Sequence, residues 1–178
     1  MSVAILDCGV GNLRSLQNAL RYLNTEHRIV RKPEELHLDE KLILPGVGHF
    51  GYAMRNLQKS GLHELIVKVA DSGTPILGIC LGMQLFFSAS EEEAGCSGLG
   101  LIKGFVKKFQ GALKVPHMGW NEIKFIRQSR LARALPVSRY AYFVHSFYCQ
   151  PEFDHTIVAQ SDYGGSFAAI VEQENIFG

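Results

Sequence analysis

A cysteine bracketed by glycines, at the corner between a strand and a helix, constrains this chain more than any other feature. Residues 75–79 form a short apolar run that reads as a buried strand, and residues 81–87 read as the start of a helix. Cys80 stands between them, with Gly78 two positions before it and Gly82 two positions after. A nucleophile on such a corner needs strained backbone, and side chains on either side would collide, so this spacing predicts an elbow that presents the sulfur. The helix that follows is expected to aim unpaired N–H groups and its positive dipole end at the sulfur, favouring thiolate and a developing oxyanion. The competing reading is a buried structural cysteine at a strand end. The paired glycines, the apolar strand and Gln84 four residues on weigh against it.

The 178 residues suit one domain, 1–178, with a sizeable core. A formal net charge of +1 leaves no electrostatic footprint for nucleic acid or an anionic membrane. The chain shows no N-terminal signal pattern and no apolar stretch long enough to span a bilayer. Cys8, Cys80, Cys96 and Cys149 are widely spaced and form no C-x-x-C pair. That speaks against a zinc site and a disulfide framework and fits a reducing cytoplasm.

Read in order, the chain opens strand–turn–helix. Residues 3–6 are an apolar run, residues 7–12 a glycine turn, and Leu13, Leu16, Ala19, Leu20 and Leu23 follow helical spacing. Gly9 and Gly11 after a strand invite a dinucleotide-binding reading. The third glycine is missing, position 14 is Arg14, and no acidic residue ends the second strand at residues 27–31, so that reading fails. Residues 41–44 form a third strand, leading into a turn at residues 45–50 that contains Gly46, Val47, Gly48 and His49. Turns at the carboxyl ends of strands in open α/β sheets are where ligands bind, although an ordinary connecting loop has the same composition. One or two helices follow, broken near Ser60 and Gly61. The order predicts an α/β fold: an open, mostly parallel sheet with helices on both faces. After the elbow helix, residues 91–95 read as a solvated acidic loop rather than a metal site. The second half then turns β-rich, with strands expected at 102–109, 121–126, 140–144, 156–160 and 167–171 and a helix only at 129–135.

A catalytic cysteine usually needs a histidine base and a residue that orients it. His27, His37, His63 and His155 lie in polar surroundings. His49, His117 and His145 remain open as candidates, and none has an acidic partner at a telling spacing.

The stretches at 45–50 (Pro-Gly-Val-Gly-His-Phe), 78–84 (Gly-Ile-Cys-Leu-Gly-Met-Gln), 116–121 (Pro-His-Met-Gly-Trp-Asn) and 142–148 (Tyr-Phe-Val-His-Ser-Phe-Tyr) together resemble the class I glutamine amidotransferases. Within that class they are most similar to the glutaminase subunits of imidazole glycerol phosphate synthases, which serve histidine biosynthesis. The resemblance runs from Val3 to Gly178. It implies that Cys80 attacks the glutamine side-chain amide, forms a thioester and releases ammonia to a (β/α)8-barrel cyclase subunit in a heterodimer. The products there are imidazole glycerol phosphate and an aminoimidazole carboxamide ribotide. The Leu81 amide is implied as one oxyanion donor, and the turn of Gly46, Val47 and Gly48 as the other after a backbone rearrangement. Gln84, Ser146 and Phe147 match substrate-binding positions, with Gly46 and Gly48. Asn12, Trp120 and Tyr142 match positions that line the partner interface, the last two competing with a reading as ordinary aromatic core. No metal or organic cofactor is implied.

The family's base and its orienter lie in a His-Pro-Glu motif shortly after a segment like residues 175–178. The chain reaches Gly178 without that motif. The expectation is a domain lacking its C-terminal strand and helix, from a natural protein that continues into the motif. The 178 residues alone are then expected to be severely impaired in glutamine hydrolysis. Two other functions stay open: a related amidotransferase feeding another synthase, and a non-catalytic binding subunit.

Overall fold

The computed structural model describes residues 2–37, 40–132 and 139–178. Its first half alternates strand and helix: β1 (Val3–Leu6), α1 (Leu13–Tyr22), β2 (His27–Val30), β3 (Lys41–Gly46), α2 (Phe50–Ser60), α3 (Leu62–Asp71), β4 (Ile76–Cys80) and α4 (Leu81–Leu85). The four strands run parallel in the order β2-β1-β3-β4. Successive side chains leave a strand on opposite faces. Val3, Ile5 and Ile43 therefore pack on one face with Leu13, Leu16 and Leu20 of α1. Ala4, Leu6, Leu42 and Leu44 pack on the other with Met54 and Leu57 of α2 and Ile66 of α3. Burial on both faces is why these strands read as unbroken apolar runs. The Asn12 side chain caps α1, its Oδ1 accepting from the Ser15 N–H at 3.1 Å. Gly61, at φ 73°, makes the expected break between α2 and α3.

The second half is β-rich, as expected: β5 (Ala89–Ser90), β6 (Gly104–Lys108), β7 (His117–Glu122), β8 (Lys124–Phe125), β9 (Tyr140–His145), β10 (Phe147–Pro151), β11 (Ile157–Asp162), β12 (Ser166–Gln173) and β13 (Ile176–Phe177). It extends the same sheet in the order β4-β13-β12-β10-β6-β5, with β11 beside β12 and β8 beside β11. β13 joins the halves. It pairs in parallel with β4 through Ile176↔Ile76 and Phe177↔Leu77, and antiparallel with β12. The result is a mixed α/β sheet, parallel where helices connect the strands and largely antiparallel beyond β13. A separate ribbon pairs β7 with β9, from His117↔His145 to Glu122↔Tyr140.

Three local expectations change. The strand expected at 121–126 is two strands, and the first reaches back to His117. The run is disguised because β7 turns His117 and Asn121 inward while Met118 and Trp120 face out. The helix expected at 129–135 falls partly outside the described residues, and residues 130–132 form a turn closed by the Ala132 N–H to Ser129 O at 3.1 Å. The elbow helix α4 has only five residues.

Candidate active site

The corner at Cys80 is strained. Cys80 sits at φ 56° and ψ −113°, a region that costs a non-glycine residue about 1–3 kcal/mol. Close packing holds it there. A Cβ on Gly78 would lie 2.5 Å from a Phe86 ring carbon, and a Cβ on Gly82 would overlap the Leu44 carbonyl oxygen. A Cβ on Gly46 would press on Leu81 at 3.0 Å. Gly82 is thus required by the approach of α4 to β3, and Gly78 by the packing of Phe86 and Gly82 against β4.

Cys80 is exposed on the wall of a cavity of about 480 Å³, a volume suited to a small metabolite. Gln84, His145, Phe147, Tyr148 and Gly178 also line it. The protein surface around the sulfur withdraws it from water and pushes its thiol pKa up, and the Leu81 N–H, donating to the sulfur, offsets only part of this. The helix was expected to favour thiolate. With five residues α4 sums few peptide dipoles, so desolvation wins.

The turn after β3 begins later than residue 45. Pro45 and Gly46 remain in the strand, paired with Ile79 and Cys80, so Gly46 lies level with the nucleophile. Only Val47, Gly48 and His49 form the turn. Val47 is 53% exposed, and Gly48, at φ 99°, has open space where a side chain would be. The far end of the turn is anchored: Glu92 Oε2 accepts from the Phe50 N–H at 2.7 Å, and His49 Nδ1 lies 3.4 Å from Glu93 Oε2. Glu93 also pairs with Arg55. The acidic loop is therefore more than solvated surface. It supplies the carboxylate that the N-terminus of α2 attracts.

Gln84 projects from α4 and donates Nε2–H to the Phe147 carbonyl at 3.2 Å, bringing two expected substrate residues together beside Cys80. Ser146 does not line the cavity; its carbonyl accepts from the Phe109 N–H at 3.1 Å. Gly46, Val47, Gly48 and Leu81 also lie outside that lining, and Gly46 borders Cys80 from the β3 side.

The three open histidines are occupied elsewhere. His145 Nδ1 lies 2.9 Å from the Phe147 carbonyl and its Nε2 lies 2.8 Å from His117 Nδ1. His117 Nε2 lies 3.4 Å from Asn121 Nδ2. Burial lowers the pKa of both rings. His49 faces Glu93. Among the described residues, no histidine hydrogen-bonds Cys80. The pairing of His117 with His145 was not foreseen, because it depends on a register between strands 28 residues apart.

Asn12 stands at the mouth of the first turn as the α1 cap. Trp120 and Tyr142 are cross-strand neighbours with ring centroids 5.7 Å apart, 72% and 55% exposed. With Met118 and Val144 they form one exposed apolar face of the ribbon, so the reading as ordinary core is set aside.

A larger cavity, about 790 Å³, lies among residues 125–132, Arg139 and Glu172. Among the described residues it is lined by no cysteine and no histidine. Arg127 donates to the Ile157 and Glu172 carbonyls, and Arg130 to the Glu172 carboxylate. Among the described residues no group of three metal-ligating side chains converges, and no helix is long and apolar enough to cross a membrane.

Residues 4–178 match the family model of the class-I glutamine amidotransferases. The chain is 45% identical over 176 residues to imidazole glycerol phosphate synthase subunit HisH of Moorella thermoacetica, covering 99% of this chain and 84% of that one. The HisH subunit of Methanocaldococcus jannaschii is likewise 45% identical, over 98% of this chain and 87% of its own. Among solved structures, one described as a glutamine amidotransferase superposes with a TM-score of 0.79 at 19% identity, over 99% of this chain and 87% of that one. The Thermotoga maritima PurLQS structure gives 0.73 at 20% identity, over 100% and 86%.

Proposed function

The chain belongs to the class I glutamine amidotransferases, and on that premise we propose that it is the glutaminase subunit of an imidazole glycerol phosphate synthase. The observation that carries the reading is the strained Cys80, exposed to a metabolite-sized cavity with the Leu81 amide at its sulfur. Cys80 Sγ, deprotonated, attacks the side-chain amide carbon of glutamine. The C–N bond breaks, ammonia leaves with a proton, and a thioester remains. Water then attacks the thioester, releasing glutamate and returning the thiol. The Leu81 N–H stabilises the oxyanion of each tetrahedral intermediate. The turn of Gly46, Val47 and Gly48, level with Cys80, supplies a second donor when its peptide reorients. Each such donor is typically worth about 3 kcal/mol of barrier. Gln84 and Phe147, which line the cavity, hold the substrate.

The raised thiol pKa means that Cys80 needs a base. The register of β13 against β4 sets Gly178 level with Gly78, two residues below Cys80. A histidine delivered along that line would enter the cavity beside the sulfur, and the resemblance assigns the base and its acidic partner to a His-Pro-Glu motif there.

The ammonia goes to a cyclase subunit. The ribbon face of Trp120 and Tyr142, with Asn12, is the surface we assign to that partner: exposed aromatics flanked by Met118 and Val144 suit the centre of an interface. The domain works in the cytoplasm, where its four free thiols stay reduced.

The test is labelling by an electrophilic glutamine analogue followed by peptide mapping. The adduct is expected on Cys80. An adduct on Cys8, Cys96 or Cys149 would remove the elbow from the mechanism. Glutaminase activity that rises on adding the cyclase subunit would support the partner assignment.

A further inference from the structure

We propose that His145, backed by His117, is a positioning residue of the glutamine site: the pair fixes the Phe147 carbonyl, which holds the Gln84 side chain beside Cys80. The inference rests on the glutaminase reading above.

The direction of each bond follows from what the atoms can do. A carbonyl oxygen only accepts, so the 2.9 Å contact from His145 Nδ1 to Phe147 O requires a hydrogen on Nδ1. The neutral ring then offers a lone pair at Nε2. His117 Nδ1, 2.8 Å away, must donate to it. His117 Nε2 is left as an acceptor, facing Asn121 Nδ2 at 3.4 Å, while that amide makes a shorter bond to the Asp162 carbonyl at 2.7 Å. Donation runs one way, from Asn121 through His117 and His145 to the Phe147 carbonyl. Both rings must be neutral for this, and burial keeps them so.

Aromatic walls prevent the rings from turning. His117 lies between Phe143, at 5.1 Å between centroids, and Tyr163, at 4.1 Å. The Phe109 ring meets His145 edge-on at 5.0 Å. The Phe147 carbonyl accepts a second bond, from Gln84 Nε2 at 3.2 Å, and Gln84 stands one helical turn beyond Cys80. Loss of the His145 donor leaves that carbonyl half-satisfied and free to shift, and Gln84 shifts with it. The sulfur is untouched, because both His145 nitrogens are already committed and neither can take the Cys80 proton.

The role therefore reads out in glutamine binding. In the full-length protein with its cyclase partner, His145→Leu should raise the glutamine KM about tenfold, the usual effect of one buried hydrogen bond lost, with kcat within about threefold. His145→Asn places an amide N–H where Nδ1 stood and should return KM to within about threefold of the unchanged protein. His117→Leu and His117→Asn should repeat this order with a smaller span. Alkylation of Cys80 by iodoacetamide, which needs no glutamine pocket, should stay within about twofold in the His117 variants, since His117 does not line the cavity around the thiol. An unchanged KM in both leucine variants overturns the proposal. So does a kcat loss of about a thousandfold that asparagine does not rescue, which would make the imidazole a proton carrier. If His145→Leu does not fold, the His117 pair decides by the same criteria. Failure of the underlying reading looks different: the unchanged protein would neither hydrolyse glutamine nor be labelled by its analogue at Cys80.

Discussion

Two glycine-bearing turns meet at the carboxyl ends of β3 and β4, and they are built in opposite ways. At Cys80 the glycines on either side are filled to contact: Gly78 against Phe86, Gly82 against the Leu44 carbonyl. The corner has one conformation available, and the sulfur is held in strained backbone before any substrate arrives. At Val47 the turn is pinned only at its ends, by the pairing of Gly46 with Cys80 and by Glu92 at the Phe50 N–H. Between them Val47 is exposed and a side chain on Gly48 would meet open space. The site thus has a rigid half carrying the reacting atom and a yielding half carrying the second proposed oxyanion donor. A fixed nucleophile keeps reorganisation out of the bond-making step, and a loose donor lets activity wait for a signal.

The comparison can be broken at its rigid side first. Cys80→Ala should lower glutaminase turnover by about 10⁵–10⁶ with the far-UV spectrum unchanged; appreciable residual turnover would mean that the rigid half is not the chemical half. Gly82→Ala should destabilise the fold by about 3 kcal/mol or more in denaturant titration, because its Cβ overlaps the Leu44 carbonyl. Gly48→Ala meets no neighbour and should cost only the φ 99° penalty, about 1–2 kcal/mol. A Gly48→Ala loss exceeding that of Gly82→Ala would invert the contrast. The rigid half also predicts a pH profile. Burial raises the Cys80 thiol above its ordinary 9.0, so its iodoacetamide alkylation rate should still be climbing at pH 9, and a plateau at neutral pH would contradict the desolvated corner. The smallest effect lies at the other end of the sheet. Glu40, bonded by Arg28, the His37 N–H and Ser2, has its carboxyl lowered to about 2. A depressed folded pKa contributes stability that is complete above the unfolded value of 4.5 and lost as pH falls toward 2. Glu40→Gln should flatten that part of the acid-unfolding curve and leave Cys80 alkylation alone.

The parallel half was legible because its strands are buried on both faces and its helices keep one apolar stripe, so composition and periodicity point the same way. The elbow was legible because two glycines, Gly78 and Gly82, stand where a Cβ would collide with neighbouring atoms. Of the ribbon, β9 was legible and β7 was not: β7 inverts the usual pattern, hiding His117 and showing Trp120, since its outer face is unpartnered in a lone chain. β10, ending in Pro151, and β13, two residues long, carry too little pattern to be seen locally and exist by pairing with distant strands. The direction of the Cys80 pKa shift depended on cavity walls contributed by residues from 123 to 178, which local motif chemistry does not contain.

The position of β13 has a consequence for how the chain is made. Its two residues, Ile176 and Phe177, fill the middle of the sheet, yet they follow every other described strand in sequence. While a ribosome is still delivering the chain, β4 and β12 are two open edges facing a gap. The β4 edge is apolar and ends at Cys80. An unpaired apolar edge invites pairing with another nascent chain. Docking of the two half-sheets is then a late, non-local event, and a stall before residue 176 leaves the gap between them open.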